Sequence, residues 1–213
     1  FRNQDGTVVG RSADGSDIFV NVVEGLPEIA NPPAGVKDGI NYIDDTTVIL
    51  QLFAPFKDFV YVVGDFTGWS IDENYLCNKT TSGDRYWLEI DNLVPGQEYR
   101  FQYAIDDDDL RVADIYSEKI LDPFNDQFIG FERYPGLISY PFGLTTEAVS
   151  VLQTAQTPYD WEVENFSRPP LDRMVIYELL VRDFTEEGTF QGVIDTLDYL
   201  ERLGVNALEL MPI

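Results

Sequence analysis

Tyr99-Arg100-Phe101-Gln102-Tyr103-Ala104-Ile105 decides the first half of the fold. A strand turns successive side chains to opposite faces, so Tyr99, Phe101, Tyr103 and Ile105 share one side while Arg100 and Gln102 point to the other. That alternation calls for a sheet with one buried face. Upstream, Pro95-Gly96 supplies a turn, and Asp84-Arg85-Tyr86-Trp87-Leu88-Glu89-Ile90 leads into it as a partner strand. Further out, Val48-Ile49-Leu50-Gln51-Leu52-Phe53 ends at Ala54-Pro55, and Phe59-Val60-Tyr61-Val62-Val63 ends at Gly64. Several short strands with turn residues between them predict an antiparallel, immunoglobulin-like β-sandwich over residues 36–131.

The flanks read differently. Residues 1–30 hold two short alternating stretches, Thr7-Val8-Val9 and Asp17–Val23, expected to be trailing strands of an upstream domain or an N-terminal extension. Asn31-Pro32-Pro33-Ala34-Gly35 follows as a linker, because paired prolines cannot donate to a central sheet ladder. Residues 132–172 contain Pro135, Pro141, Pro158, Pro169 and Pro170 without a sustained period, which predicts a connector.

After the connector the period changes. Met174–Val181 is a nearly continuous apolar run, the pattern of a strand buried on both faces of a parallel sheet. Phe190, Val193, Ile194, Leu197, Leu200 and Leu203 then recur at helical spacing, with Thr189 placed to cap the start and Gly204 suited to the left-handed position after the end. Val205–Met211 reads as a second strand. Residues 173–213 are thus expected to form a strand–helix–strand unit, right-handed and unable to stand alone.

Composition closes off several functions. The chain has 213 residues, 38 acidic against 14 basic, a formal net charge of -24 and no histidine. Such a surface repels phosphate backbones and anionic membranes, so nucleic acid and membrane are not expected partners. Without histidine there is no serine–histidine or cysteine–histidine pair and no imidazole metal ligand. Cys77 is the only cysteine, so neither an internal disulfide nor a cysteine-rich zinc site can form. No apolar run reaches the roughly 20 residues of a membrane span. No targeting segment can be read, and the compartment stays undetermined. Asn78-Lys79-Thr80 and Asn165-Phe166-Ser167 match the N-glycosylation pattern, which matters only in a eukaryotic secretory host.

Two ordered sets of motifs resemble the α-amylase family, glycoside hydrolase family 13. Val60–Trp69, with its Gly64-Asp65-Phe66-Thr67-Gly68-Trp69 turn, is similar to the early-set sandwiches that precede the barrel in that family and to family 48 carbohydrate-binding modules. Trp87, Pro95–Phe101, Ala113-Asp114 and Leu121-Asp122-Pro123 follow in the family's order. Val175–Phe184, Gly188-Thr189-Phe190 and Leu197–Pro212 resemble the first strand, first helix and second strand of the family's (β/α)8 barrel. Leu180 stands where the family usually has histidine, so no subfamily follows from that strand. The resemblance implies a mostly β chain: an early-set sandwich followed by an incomplete TIM-barrel start. It also implies a parent protein acting on α-glucans such as starch, glycogen or maltodextrins.

The family's retaining chemistry uses two carboxylates about 5 to 5.5 Å apart, carried by later barrel strands. A barrel takes about 250 residues, so no catalytic residue is expected here, and the chain alone is expected to be inactive and to pack against the rest of a barrel. No cofactor is expected; the resemblance leaves room for calcium in the full-length protein without assigning it a ligand in this chain. Trp69 is the candidate substrate-binding residue, because the corresponding tryptophan of glycogen-binding modules stacks on a glucose ring. The second stacking tryptophan is replaced by Asp106-Asp107-Asp108-Asp109-Leu110, and the competing reading of Trp69 is a residue packed at a turn. The aspartate run offers oxygen ligands but lacks the glycine and closing glutamate of an EF-hand loop, so a solvated turn is expected. Glu178 and Glu209 sit inside apolar strands, where a buried carboxylate needs a partner, and Arg173 or Arg182 is the expected one. Three roles follow: N-terminal part of an α-glucan-acting enzyme, α-glucan-binding module, or scaffold sandwich without a ligand.

Overall fold

The computed structural model describes residues 26–106 and 110–211. The expected strands within 7–9 and 17–23, Asp107–Asp109 and Pro212 lie outside them. The described residues divide into two compact units, one of 26–128 plus 138–156, the other of 129–137 plus 157–211.

The first unit is a two-sheet antiparallel sandwich. β1 (Gly39–Tyr42), β2 (Val48–Phe53), β4 (Asn78–Lys79) and β5 (Arg85–Ile90) form one sheet in the order β1-β2-β5-β4. β3 (Val60–Gly64), β6 (Glu98–Ile105), β7 (Arg111–Val112), β8 (Lys119–Leu121) and β9 (Val149–Gln153) form the other, ordered β3-β6-β9-β8 with β7 also on β6. The alternation works as read. Val48 and Leu50 of β2, Tyr86, Leu88 and Ile90 of β5, Val60 and Val62 of β3, and Tyr99, Phe101, Tyr103 and Ile105 of β6 meet in one core. The turn before β6 also follows the sequence: Gly96 takes φ 77, and Gln97 donates its amide to the Val94 carbonyl.

The connector expectation needs correction. Val149–Gln153 is not part of a surface connector but a strand between β6 and β8, with Tyr99 opposite Leu152 and Ile120 opposite Ser150. Its pattern escapes a period count because both faces are buried: Val149, Ser150 and Leu152 are all sealed from solvent. The same stretch explains the second face of β6. Gln102 is buried rather than solvated, donating Nε2 to the carbonyls of Thr146 and Ala148. A buried amide is tolerated because its hydrogen bonds are made.

In the second unit, β10 (Ile176–Leu179) and β11 (Ala207–Leu210) pair in parallel, Ile176 opposite Ala207 and Leu179 opposite Leu210. Between them lie α1 (Val181–Phe184), α2 (Phe190–Asp195) and α3 (Leu197–Arg202). Thr189 caps α2 by accepting the Gly192 amide, and Gly204 takes φ 84 after α3, as their positions predict. The single expected helix is broken at Thr196, whose hydroxyl donates back to the carbonyls of Gly192 and Val193. Such back-bonding competes with the helical ladder and bends it. Leu179, Val181, Val193 and Leu200 make a small core. The expectation of a β10 buried on both faces does not hold, since Ile176 and Tyr177 are exposed; two strands with helices between them offer one covered face. Among the described residues, no helix is long and apolar enough to cross a membrane.

Candidate functional site

The sequence points to the turn after β3. Gly64 ends the strand, Asp65–Thr67 form one turn of 3-10 helix, Gly68 takes φ 60, and Trp69 takes φ 65 while its amide closes the turn on the Gly64 carbonyl. A left-handed tryptophan is uncommon and persists only where its surroundings hold it. Asp65 is the holder. Its carboxylate accepts from the Arg100 backbone amide at 2.9 Å, from Arg100 Nε at 2.9 Å and Nη2 at 2.8 Å, and from Trp69 Nε1 at 3.2 Å. Arg100 Nη1 continues to the Ser139 carbonyl, and Arg111 Nη2 donates to the Trp69 carbonyl at 3.2 Å. A planar guanidinium on a carboxylate fixes direction as well as distance, so the indole edge is locked to β6.

The result bears on the sugar-stacking expectation. A stacking platform must present an indole face to solvent, and Trp69 is 5% exposed. Its geometry is that of a packed turn residue. Trp161, on the loop before β10, is the exposed indole at 72%, edge-on to Tyr159 at 4.8 Å between ring centroids; sequence reading passed over it because it lies in an aperiodic, proline-rich stretch. Acrylamide quenching should separate the two. Trp161→Phe is expected to remove most of the quenchable emission, and Trp69→Phe little of it. The reverse order would mean that the Trp69 indole is open to solvent.

The neighbouring aspartate run begins as a structural turn. Asp106, at φ 55, accepts the amides of Asp58 and Phe59 at 2.7 and 3.2 Å and faces Lys57 Nζ at 3.4 Å. Burial pushes its carboxyl up, but those amides and Lys57 outweigh it and hold the group below the usual carboxylate range. Among the described residues, no three acidic or thiol side chains converge on a metal-sized site.

The pairing expected of the strand glutamates is not formed. Glu178 and Glu209 face each other across β10 and β11, both exposed, and neither makes an ion pair among the described residues. Arg182 instead pairs with Asp183 at 2.8 Å. Exposure removes the reason for a partner, since a solvated carboxylate needs none.

Comparison with known proteins agrees with this architecture. No protein-family profile matches the chain. Malto-oligosyltrehalose trehalohydrolase of Saccharolobus solfataricus is 38% identical over 175 residues, 80% of this chain and 25% of that protein. Isoamylase 1 of Arabidopsis thaliana chloroplasts is 33% identical over 104 residues, 45% of this chain and 13% of the isoamylase. The crystal structure of a putative α-amylase from Salmonella typhimurium superposes with a TM-score of 0.56 at 22% identity, covering 83% of this chain and 24% of its own, a likeness of fold. The chain thus spans about a quarter of the length of the trehalohydrolase it matches. The relatives and structural neighbours are all proteins of the α-amylase family, glycoside hydrolase family 13, and the chain matches their N-terminal region.

Proposed function

We propose that this chain is the N-terminal part of an α-amylase-family glycosidase acting on α-glucans by a retaining mechanism, with its sandwich serving as a scaffold beside the catalytic barrel. The observation that carries the reading is the parallel β10–β11 pair joined through α1, α2 and α3, directly after a sandwich, in a chain 38% identical to a trehalohydrolase. A barrel of this kind places its chemistry at the C-terminal ends of its strands. In this chain those ends carry Leu180 and Met211, and the exposed Arg182–Asp183 pair follows the first of them. On this reading the carboxylates that attack the sugar and protonate the leaving group are supplied by later strands. The burial of Trp69 supports the scaffold role over that of a sugar platform.

The experiment compares two proteins made from the same gene: the 213-residue chain and the complete reading frame. Both are incubated with malto-oligosyltrehalose, amylopectin and pullulan, and released sugars are measured. The complete protein should cleave at least one of these with retention of anomeric configuration, while the 213-residue chain releases nothing above background. Activity of the short chain, or inversion by the long one, would overturn the proposal.

A further inference from the structure

Residues 129–137 stand in sequence between β8 and β9 of the sandwich, yet they belong to the second compact unit, with the strand–helix–strand segment. An excursion between two sandwich strands costs ordering entropy, so what it touches matters. Arg133 makes the contact: its Nη1 donates to the Gly188 carbonyl at 3.0 Å. The base of that reach is a tight turn. The amides of Arg133 and Tyr134 both donate to the Gly130 carbonyl, at 2.9 and 3.2 Å, so the Arg133 side chain starts from a fixed backbone.

Gly188 ends a turn that opens directly after α1. Its amide donates to the Thr185 carbonyl at 3.1 Å, with Glu186 and Glu187 exposed at the tip. Its φ of 57 is left-handed, and a Cβ there would stand 2.7 Å from the Arg182 carbonyl oxygen and 2.9 Å from Arg133 Nη1. The peptide is gripped between the backbone of α1 and the guanidinium, with room for glycine alone. The next residue, Thr189, caps α2 by accepting the Gly192 amide at 3.1 Å. Whatever fixes Gly188 therefore also fixes the start of α2. A cation suits this place, because Glu186 and Glu187 repel one another and Arg182 is already engaged with Asp183 at 2.8 Å.

The turn follows the C-terminal end of β10 by way of α1. In a (β/α)8 barrel the loops after such strand ends build the active site. We propose that Arg133 is a positioning residue for that face: it holds the turn at 185–189 closed, and so sets how tightly the complete enzyme takes its substrate. The role rests on the function proposed above; the clamp itself rests on the geometry of the second unit. Arg133 is exposed, and one solvated hydrogen bond adds little to global stability. A merely structural tie would leave catalysis untouched. A turn that must be closed for binding behaves differently, since losing the bond lowers the fraction of molecules ready to bind and weakens apparent affinity by the same factor.

The test uses the complete reading frame, with malto-oligosyltrehalose, amylopectin and pullulan as substrates. Arg133→Met keeps the length of the stem and removes the donor. Hydrogen exchange at the Gly188 and Gly192 amides should quicken about fivefold, with the melting temperature unchanged. KM for the cleaved substrate should rise about threefold while kcat stays within about twofold of the unaltered enzyme. Arg133→Lys keeps a charged donor and should recover most of both changes. Unchanged exchange in Arg133→Met would overturn the clamp, and quicker exchange with unchanged KM would overturn the positioning role. A fall in melting temperature and activity that Arg133→Lys fails to restore would overturn it as well, by showing a structural part. Each of these outcomes, in an enzyme that cleaves one of the substrates, leaves the proposed function standing. An unaltered protein that cleaves none of the three overturns that function, and the role of Arg133 with it.

Discussion

Gly64→Ala should destabilise the sandwich by about 3 kcal/mol or more, enough to leave much of the protein unfolded at 37 °C. The backbone conformation is not the reason, since Gly64 at φ 171 is extended. The reason is space. A Cβ at Gly64 would stand 2.2 Å from the Arg100 carbonyl oxygen and 3.0 Å from the Phe101 Cα, both backbone atoms of the paired strand. A flexible side chain could swing away; a strand in mid-ladder cannot, so β3 must separate from β6 at the point where Gly64 opposes Phe101. The same shift would pull Asp65 off the Arg100 amide. Gly68→Ala provides the contrast. Nothing lies within 4 Å of its new Cβ, but φ 60 disfavours any side chain, so it should cost only about 1 kcal/mol. Urea unfolding of the two variants checks the order, and near-equal losses would show that the close approach to β6 is not what requires glycine.

That contrast shows what was legible in the sequence. Gly64 and Gly68 both stand in a turn signature, and both read there simply as turn glycines. Only the register of β3 on β6 distinguishes the glycine needed for clearance from the one needed for its dihedral angle. β5 and β6, whose sequences alternate, could be placed from period two, and β2 and β3, buried on both faces, from apolar runs closed by Ala54-Pro55 and Gly64. β9 could not, because both of its faces are buried while Ser150 interrupts its short apolar run in a stretch rich in prolines. The helix caps at Thr189 and Gly204 were visible because capping is local chemistry. The break at Thr196 was local too, but a mid-helix threonine announces its back-bonding only once its rotamer is known. Trp69 was found by motif, but the choice between a sugar platform and a packed turn residue could not be made there, because its burial goes with the Asp65–Arg100 pair, whose members lie 35 residues apart.

Asp114→Ala should cost about 3 kcal/mol and lower the melting temperature by about 10 °C. Asp114 is 2% exposed, accepting the Tyr103 hydroxyl at 2.9 Å on one oxygen and the Tyr116 amide at 2.8 Å on the other. Tyr103 is fully buried, so truncation leaves a phenol with no acceptor and an amide with none, each costing about 1–3 kcal/mol. Asp114→Asn should behave in the opposite way near neutral pH. Its carbonyl can keep the Tyr116 amide and its NH2 can donate to the Tyr103 oxygen, while the buried charge disappears. The pH dependence follows from the carboxyl. Burial pushes Asp114 up, against the bonds from Tyr116 and Tyr103, and nearby Asp38 adds to the rise. A carboxyl raised in the folded state binds its proton more tightly there than in the unfolded chain. Its contribution to stability is therefore fully present below the ordinary aspartate value and is lost as pH rises through the raised one. The advantage of Asn over Asp should accordingly be smallest below about pH 4, grow as pH climbs, and level off once Asp114 is ionised in both states. Urea melts of the wild type and Asp114→Asn across that range measure it. A difference independent of pH would mean that Asp114 does not carry a raised pKa, and that its two hydrogen bonds fully compensate its burial.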